Sequence, residues 1–177
     1  DGKIEKQIKL PTFYEIDRIS LSYGEEYLLA YTKVDSAFVV NVQTGEVVTS
    51  FNGKCAFSYD GRKVFCLNEN FEENRITVTE SEISTGTVLK MYNSGYEGSE
   101  HIGSDVTIFS YIKFVCASPE PDILYFSDDQ NIFRLDLNRN NITAVFKGHT
   151  DKITGIGTTP DGAFLFSSSN DGTTRFW

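Results

Sequence analysis

The chain has 177 residues, 40% of them apolar and 23% charged, which is the balance of a globular rather than a disordered chain. No run of about 18 apolar residues occurs, so no membrane-spanning helix is expected, and the opening DGKIEKQIKL lacks the basic and apolar regions of a signal peptide. The net charge of −9, from 25 acidic against 16 basic residues without a Lys/Arg cluster, disfavours direct binding to nucleic acid.

Taken in chain order, the elements read as short strands. The sequence opens without a Met and is expected to be a piece of something longer. Residues 3–10 (KIEKQIKL) and 18–22 (RISLS) alternate like strands, and a polar YGEE turn separates them from YLLAYT (27–32) and AFVVNV (37–42). VQTGEVV (42–48) then marks a turn, followed by EVVTSF, KCAFS, a YDG turn and KVFCL (63–67). ISTGTVL (83–89) repeats the Thr-Gly turn ahead of TVLKMY, and the polar, glycine-rich NSGYEGSEHIGSD (93–105) interrupts the pattern. IKFVCAS, a PEPD turn and ILYFS (123–127) follow, then LNRNNIT (137–143), in which Asn140 takes the place of the turn glycine. The last stretch holds NITAVF, KITGIGT, AFLFSSS (163–169) and TTRFW behind an Asn-Asp-Gly turn. No window of 12 or more residues keeps a helical apolar stripe, and the chain is predicted to be all-β.

A polar residue precedes each Thr-Gly-type turn: Asn41, Glu82 and Asp136, spaced 41 and 54 residues apart. Overlaying residues 118–135 on 160–177, with Asp129 on Asp171, Ser127 on Ser169 and Leu135 on Trp177, carries Asp136 to a position just past Trp177, while Asp1 holds the same phase at the start. The chain thus divides into units of roughly 40 residues at about 1–40, 41–81, 82–135 and 136–177, the third enlarged by the inserted loop near 93–105. Four antiparallel strands recurring at this period are the pattern of a β-propeller blade.

The last unit resembles the WD40 repeat family. It carries Gly148-His149, the turn Pro160-Asp161-Gly162, the hairpin residues Ser169, Asp171 and Gly172, and the closing Trp177. The other three units share only the period and the turns; Gly53 stands where the Gly-His glycine falls but is followed by Lys54. The resemblance implies a β-propeller portion of about four four-stranded antiparallel blades, part of a larger propeller of the seven-blade type. It also implies a buried hydrogen-bonded chain inside the blade, for which His149, Ser167 or Ser169, Asp171 and Trp177 are the matching positions. The two serines point to the same face of their strand, and the sequence does not choose between them.

These residues also invite a hydrolase reading, since Ser, His and Asp fall within 23 residues. The repeat pattern argues for packing instead, because Ser127 and Asp129 recur at the matching positions of the previous unit without a histidine. No catalytic residue is therefore assigned. The Asp-rich turns SDDQN (127–131) and SNDG (169–172) lack the spaced ligands and closing Glu of a calcium loop. With only His101 and His149 available and no ligand cluster around either, no metal and no cofactor are expected. The triplet Asn141-Ile142-Thr143 matches a glycosylation sequon and is read as coincidence. Cys55, Cys66 and Cys116 sit in apolar runs, odd in number and without a CxxC spacing, and read as buried free thiols of a reducing compartment; a disulfide between Cys55 and Cys66 on neighbouring strands is the lesser alternative.

For function, the resemblance implies a non-enzymatic scaffold joining other proteins in a multi-subunit complex, intracellular in the cytoplasm or nucleus. The remaining blades would come from the rest of the chain or from another subunit. Tyr96, Glu97, Glu100 and His101 in the inserted loop are the candidate partner contacts, because insertions in repeat proteins often carry binding. The alternative is the propeller domain of an enzyme, or of a ribonucleoprotein-assembly factor that contacts RNA.

Overall fold

A computed structural model describes residues 6–70, 73, 75–95 and 111–177. The first sheet holds β1 (Ile16–Leu21), β2 (Tyr27–Thr32), β3 (Ser36–Asn41) and β4 (Val47–Asn52). The second holds β5 (Lys54–Phe57), β6 (Lys63–Asn70), β7 (Arg75–Glu82) and β8 (Val88–Gly95). The third holds β9 (Phe114–Ala117), β10 (Ile123–Ser127), β11 (Asn131–Asp136) and β12 (Asn141–Lys147). The fourth holds β13 (Ile153–Thr158), β14 (Leu165–Ser169) and β15 (Thr174–Phe176). Every sheet is an antiparallel meander whose strands pair in chain order, and together the four form an all-β propeller of four blades.

Burial explains why the middle strands read as unbroken apolar runs rather than alternating ones. In β6, Val64, Phe65, Cys66 and Leu67 are all buried, because the sheet is covered on both faces by its neighbours. Leu29, Val39, Cys55, Val64 and Ile83 fill the gap between the first and second sheets. Phe65, Val78, Leu124, Phe126 and Leu135 fill the next gap, with Phe126 and Phe133 stacked at 4.9 Å. Ile132, Ile153 and Leu165 form the third layer, against Phe114, Phe146 and Trp177. Each fully buried side chain of this size contributes roughly 1.5–3 kcal/mol, so the layers between sheets hold most of the stabilisation. The two outward faces are different: Ile19 and Leu21 on β1 are 64% and 52% exposed, and Phe176 on β15 is 66% exposed.

The turns share a common chemistry. Gly45 and Gly86 in the Thr-Gly turns hold φ of 77° and 69°, and Asn140 holds 55°, the left-handed conformation that asparagine tolerates better than most residues. The polar residue ahead of each turn closes it. Asn41 Oδ1 accepts from the Thr44 amide at 2.9 Å, Asp136 Oδ1 from the Arg139 amide at 2.9 Å, and Glu82 Oε2 from the Thr85 hydroxyl at 2.7 Å. In the Asp-Gly turns, Asp60 and Asp161 each accept from a hydroxyl two residues back, Ser58 and Thr159, both at 2.6 Å.

Three features depart from the sequence reading. The predicted first strand at 3–10 is not a strand over residues 6–10. The strand after each turn marker closes the preceding sheet: β4 pairs with β3, β8 with β7 and β12 with β11, so sequence units and sheets are offset by one strand. Cys55 and Cys66 are not free thiols. They face each other across β5 and β6, Cα atoms 4.1 Å apart, and are joined by a disulfide in the first core layer. The odd cysteine count and the lack of a CxxC spacing point to free thiols, but the register of the hairpin puts the two sulfurs side by side. Cys116 on β9 remains a thiol, and burial pushes it up to about 12.

Candidate functional site

The last sheet carries the densest set of polar side chains that the sequence singled out. His149 precedes β13, Ser167 lies in the middle of β14, Asp171 sits in the hairpin turn, and Trp177 follows β15. The backbone admits them at one residue, Gly148: a Cβ there would stand 2.6 Å from Arg175 Nη1 and 3.1 Å from Trp177 Cη2. Glycine thus lets the chain ahead of β13 approach the indole.

The four side chains form one continuous chain of hydrogen bonds. Trp177 Nε1 donates to Ser167 Oγ at 3.0 Å. Ser167 Oγ lies 2.8 Å from His149 Nε2, and His149 Nδ1 lies 2.8 Å from Asp171 Oδ2. One proton arrangement satisfies all of them: Ser167 gives its hydroxyl proton to Nε2, and Nδ1–H donates to the carboxylate. The imidazole is then neutral, with its tautomer set by Asp171. Asp171 also accepts from the Thr173 hydroxyl at 2.6 Å and from the amides of Thr150 at 3.1 Å and Thr173 at 2.9 Å. Led by the Thr173 hydroxyl and joined by His149 and the two amides, these donors hold its carboxyl well below the usual range, against the opposing effect of burial.

Ser169 stands outside this chain. Its hydroxyl donates to the Asp151 carbonyl at 2.9 Å and accepts from the Asp171 amide at 3.1 Å, which shapes the turn. The structure therefore distinguishes the two serines that the sequence leaves equivalent.

An Asp–His–Ser relay at these distances has the geometry of a hydrolase triad, but burial decides against that use. Ser167 is 0% exposed, and its oxygen is already occupied by the Trp177 N–H. A nucleophile needs an open path to its substrate. What this relay does is tie the approach to β13, the strand β14, the hairpin turn and the chain end to one another. The matching positions of the third sheet make no such chain: Tyr125 stands in the place of Ser167, and Asp129, in the place of Asp171, lies 3.7 Å from Lys113.

Tyr96, Glu97, Glu100 and His101 lie outside the described residues. A second polar cluster was missed. Glu80 on β7 is 6% exposed and accepts from Lys63 Nζ at 2.5 Å and from the Tyr92 hydroxyl at 2.7 Å. Burial alone would raise this carboxyl, but the two donors hold it below its ordinary value, and the Tyr92 phenol is pushed up by burial and by Glu80. The run ITVTESE gives no local sign of it; the three residues lie on adjacent strands, but Lys63 and Glu80 fall in one predicted unit and Tyr92 in the next.

Residues 140–177 match the family model described as WD domain, G-beta repeat. The chain is 36% identical over 63 residues to pre-mRNA-processing factor 19 of Bos taurus, a stretch covering 36% of this chain and 12% of that protein. It is 31% identical over 70 residues to the target of rapamycin complex subunit wat1 of Schizosaccharomyces pombe, covering 38% of this chain and 22% of that protein. Among solved structures, the WD40 repeats of RRP9 superpose with a TM-score of 0.66 at 12% identity, covering 97% of this chain and 50% of that one. The structure of U3-55K matches equally well, with 51% of its chain covered. At that identity the superpositions speak to fold alone, and the chain spans about half the length of the structures it matches. Residues 140–177 thus carry the sequence signature of a WD repeat, and the whole described length has the β-propeller fold of the solved structures it superposes on.

Proposed function

We propose that the chain serves as a non-enzymatic scaffold, holding protein partners within a multi-subunit complex inside the cell, in the nucleus or cytoplasm. The observation that carries this reading is the fate of the one catalytic-looking constellation. His149, Ser167 and Asp171 are bonded to one another and to Trp177, with the serine buried, so the chemistry-bearing groups hold the blade together. The turns at the ends of the sheets are free to meet other molecules, the usual place for contacts made by a rigid repeat scaffold. Support comes from the matched relatives, one of which is by name a complex subunit and the other a pre-mRNA-processing factor. The intracellular reading leans on these relatives, since the expectation of three free thiols no longer supports it. Within this reading the loop residues Tyr96, Glu97, Glu100 and His101 are partner contacts, and further blades complete the ring from the rest of the protein or from another subunit.

The test is to purify the tagged intact protein from native extract, measure its mass by light scattering, and map cross-links. Stoichiometric partners cross-linked to the turns, and weakened by Ala substitutions at Tyr96 and Glu97, support the reading. A protein that runs as a free monomer, with substoichiometric companions indifferent to those substitutions, refutes it.

A further inference from the structure

The first strands of all four sheets, β1, β5, β9 and β13, line a shared cavity of about 540 Å³, within the range of small-molecule sites. Its wall is unusual for this chain. The sequence has 25 acidic residues, yet among the described residues no Asp or Glu lines the cavity, and Arg18 is the one charged side chain there. Hydroxyls from three of the sheets join it, among them Ser20, Ser58, Thr154 and Thr158.

Arg18 is held in place by rings rather than by a counter-ion. Its guanidinium carbon lies 4.3 Å from the centroid of Tyr31 and 4.9 Å from that of Phe114. Tyr31 is itself fixed, its hydroxyl donating to the Cys55 carbonyl at 2.7 Å and lying 3.2 Å from Ser20 Oγ. Ring contacts engage the flat faces of a guanidinium and leave its N–H edge available. Among the described residues, Arg18 forms no salt bridge. Arg18 also lines an adjoining cavity, where Asp17, Asp35 and Asp129 are interspersed with Lys54, Lys113 and Lys152. There Lys54 pairs with Asp35 and Lys113 with Asp129.

A partly buried, pre-oriented fork of donors without a salt bridge among the described residues, facing a cavity whose described lining holds no carboxylate, is arranged to accept an anion. We propose that the axial cavity is an anion site in which Arg18 takes the phosphate or carboxylate group of a small molecule. Arginine suits this role because its paired N–H groups match both oxyanions in a bidentate contact. The inference is independent of the scaffold reading, since a protein that only assembles partners does not need it.

The test titrates the intact protein with inorganic phosphate and, separately, with acetate, at constant ionic strength against a chloride reference. Thermal stability and calorimetric binding are both followed, for wild type, Arg18→Gln and Arg18→Lys. We expect a saturable rise in Tm with one of the two anions beyond the chloride reference, and the anion that acts identifies the group. Arg18→Gln should weaken the binding at least tenfold, and Arg18→Lys by less. Should Arg18→Gln not fold, the Nε–H resonance of Arg18 in the wild type serves instead, and it should move on addition of the active anion. No saturable response to either anion, an equal response in Arg18→Gln, or an unmoved Arg18 resonance would overturn the proposal.

Discussion

Replacing Ser167 with Ala cuts the polar chain of the last sheet at its centre. The hydroxyl makes two hydrogen bonds, one accepted from Trp177 and one given to His149. A hydrogen bond is worth about 1 kcal/mol net when its partners regain water on losing it, and about 1–3 kcal/mol when a partner is left buried and unpaired. The His149 side chain is 0% exposed, so its Nε2 stays dry and falls in the second class. Trp177 is only half-buried, and its N–H is assigned to the first. The expected loss is therefore about 3 kcal/mol, with little cavity term for a single oxygen. Ser169→Ala serves as the control: its partly exposed hydroxyl should cost about 1 kcal/mol. Urea unfolding followed by the fluorescence of Trp177, the only tryptophan in the sequence, reads both the global transition and the site itself. If Ser167→Ala lies within about 0.5 kcal/mol of wild type, or costs no more than Ser169→Ala, the relay does not hold the sheet and the argument fails.

Acid should weaken the same sheet in a defined way. The folded Asp171 carboxyl lies below its ordinary 3.8, so its contribution is present above that value and lost as the pH falls below it. Urea midpoints between about pH 5 and pH 2 should drop in wild type and drop less in Asp171→Asn; parallel curves would count against this assignment. For the disulfide, a thiol reagent applied in denaturant without reductant should find Cys116 alone, and after reduction Cys55 and Cys66 as well. Reduction should lower stability by about 3 kcal/mol, from the chain-entropy relation for so short a loop; three reactive thiols before reduction would disprove the bond. Gly53→Ala should destabilise by more than about 2 kcal/mol. Gly53 holds φ of 104°, and a Cβ would come within 2.6 Å of the Leu67 carbonyl oxygen; a thermal melt like wild type would refute this. Last, the described stretch expressed alone should self-associate through its exposed apolar faces, and Phe166→Ser with Phe176→Ser should reduce that association in size-exclusion chromatography. A monodisperse monomer would argue that those faces need no cover.

Much of the fold was legible because local rules and tertiary structure agree. YLLAYT and ILYFS coincide with β2 and β10 to the residue, and Asn140 marks a left-handed turn position without a glycine. His149, Asp171 and Trp177 could be placed together because a hairpin and a Gly-His approach bring them to one sheet. The choice of Ser167 over Ser169 needed the pairing between β13 and β14, where a bulge after Ile153 shifts the register that simple alternation assumes. The Cys55–Cys66 bond depended on register too: the turn after Phe57 sets the two cysteines opposite each other, and composition arguments about thiols do not see it. Arg18 was harder still. Its rings come from β2 and β9, far apart in sequence, so nothing near residue 18 distinguishes it from a solvated strand arginine.

The one-strand offset between sequence unit and sheet bears on how the molecule comes apart. A unit such as 41–81 contributes β4 to one sheet and β5 to β7 to the next, so melting it strips two sheets of their partners at once. In a nearest-neighbour description of repeat unfolding, this places backbone hydrogen bonds, and not only side-chain contacts, in the coupling between units. The penalty for a boundary between folded and unfolded units then becomes large relative to the stability of any one unit. Such a chain should unfold in few, long cooperative steps, even where three of its four units have lost the polar chain that the last one keeps.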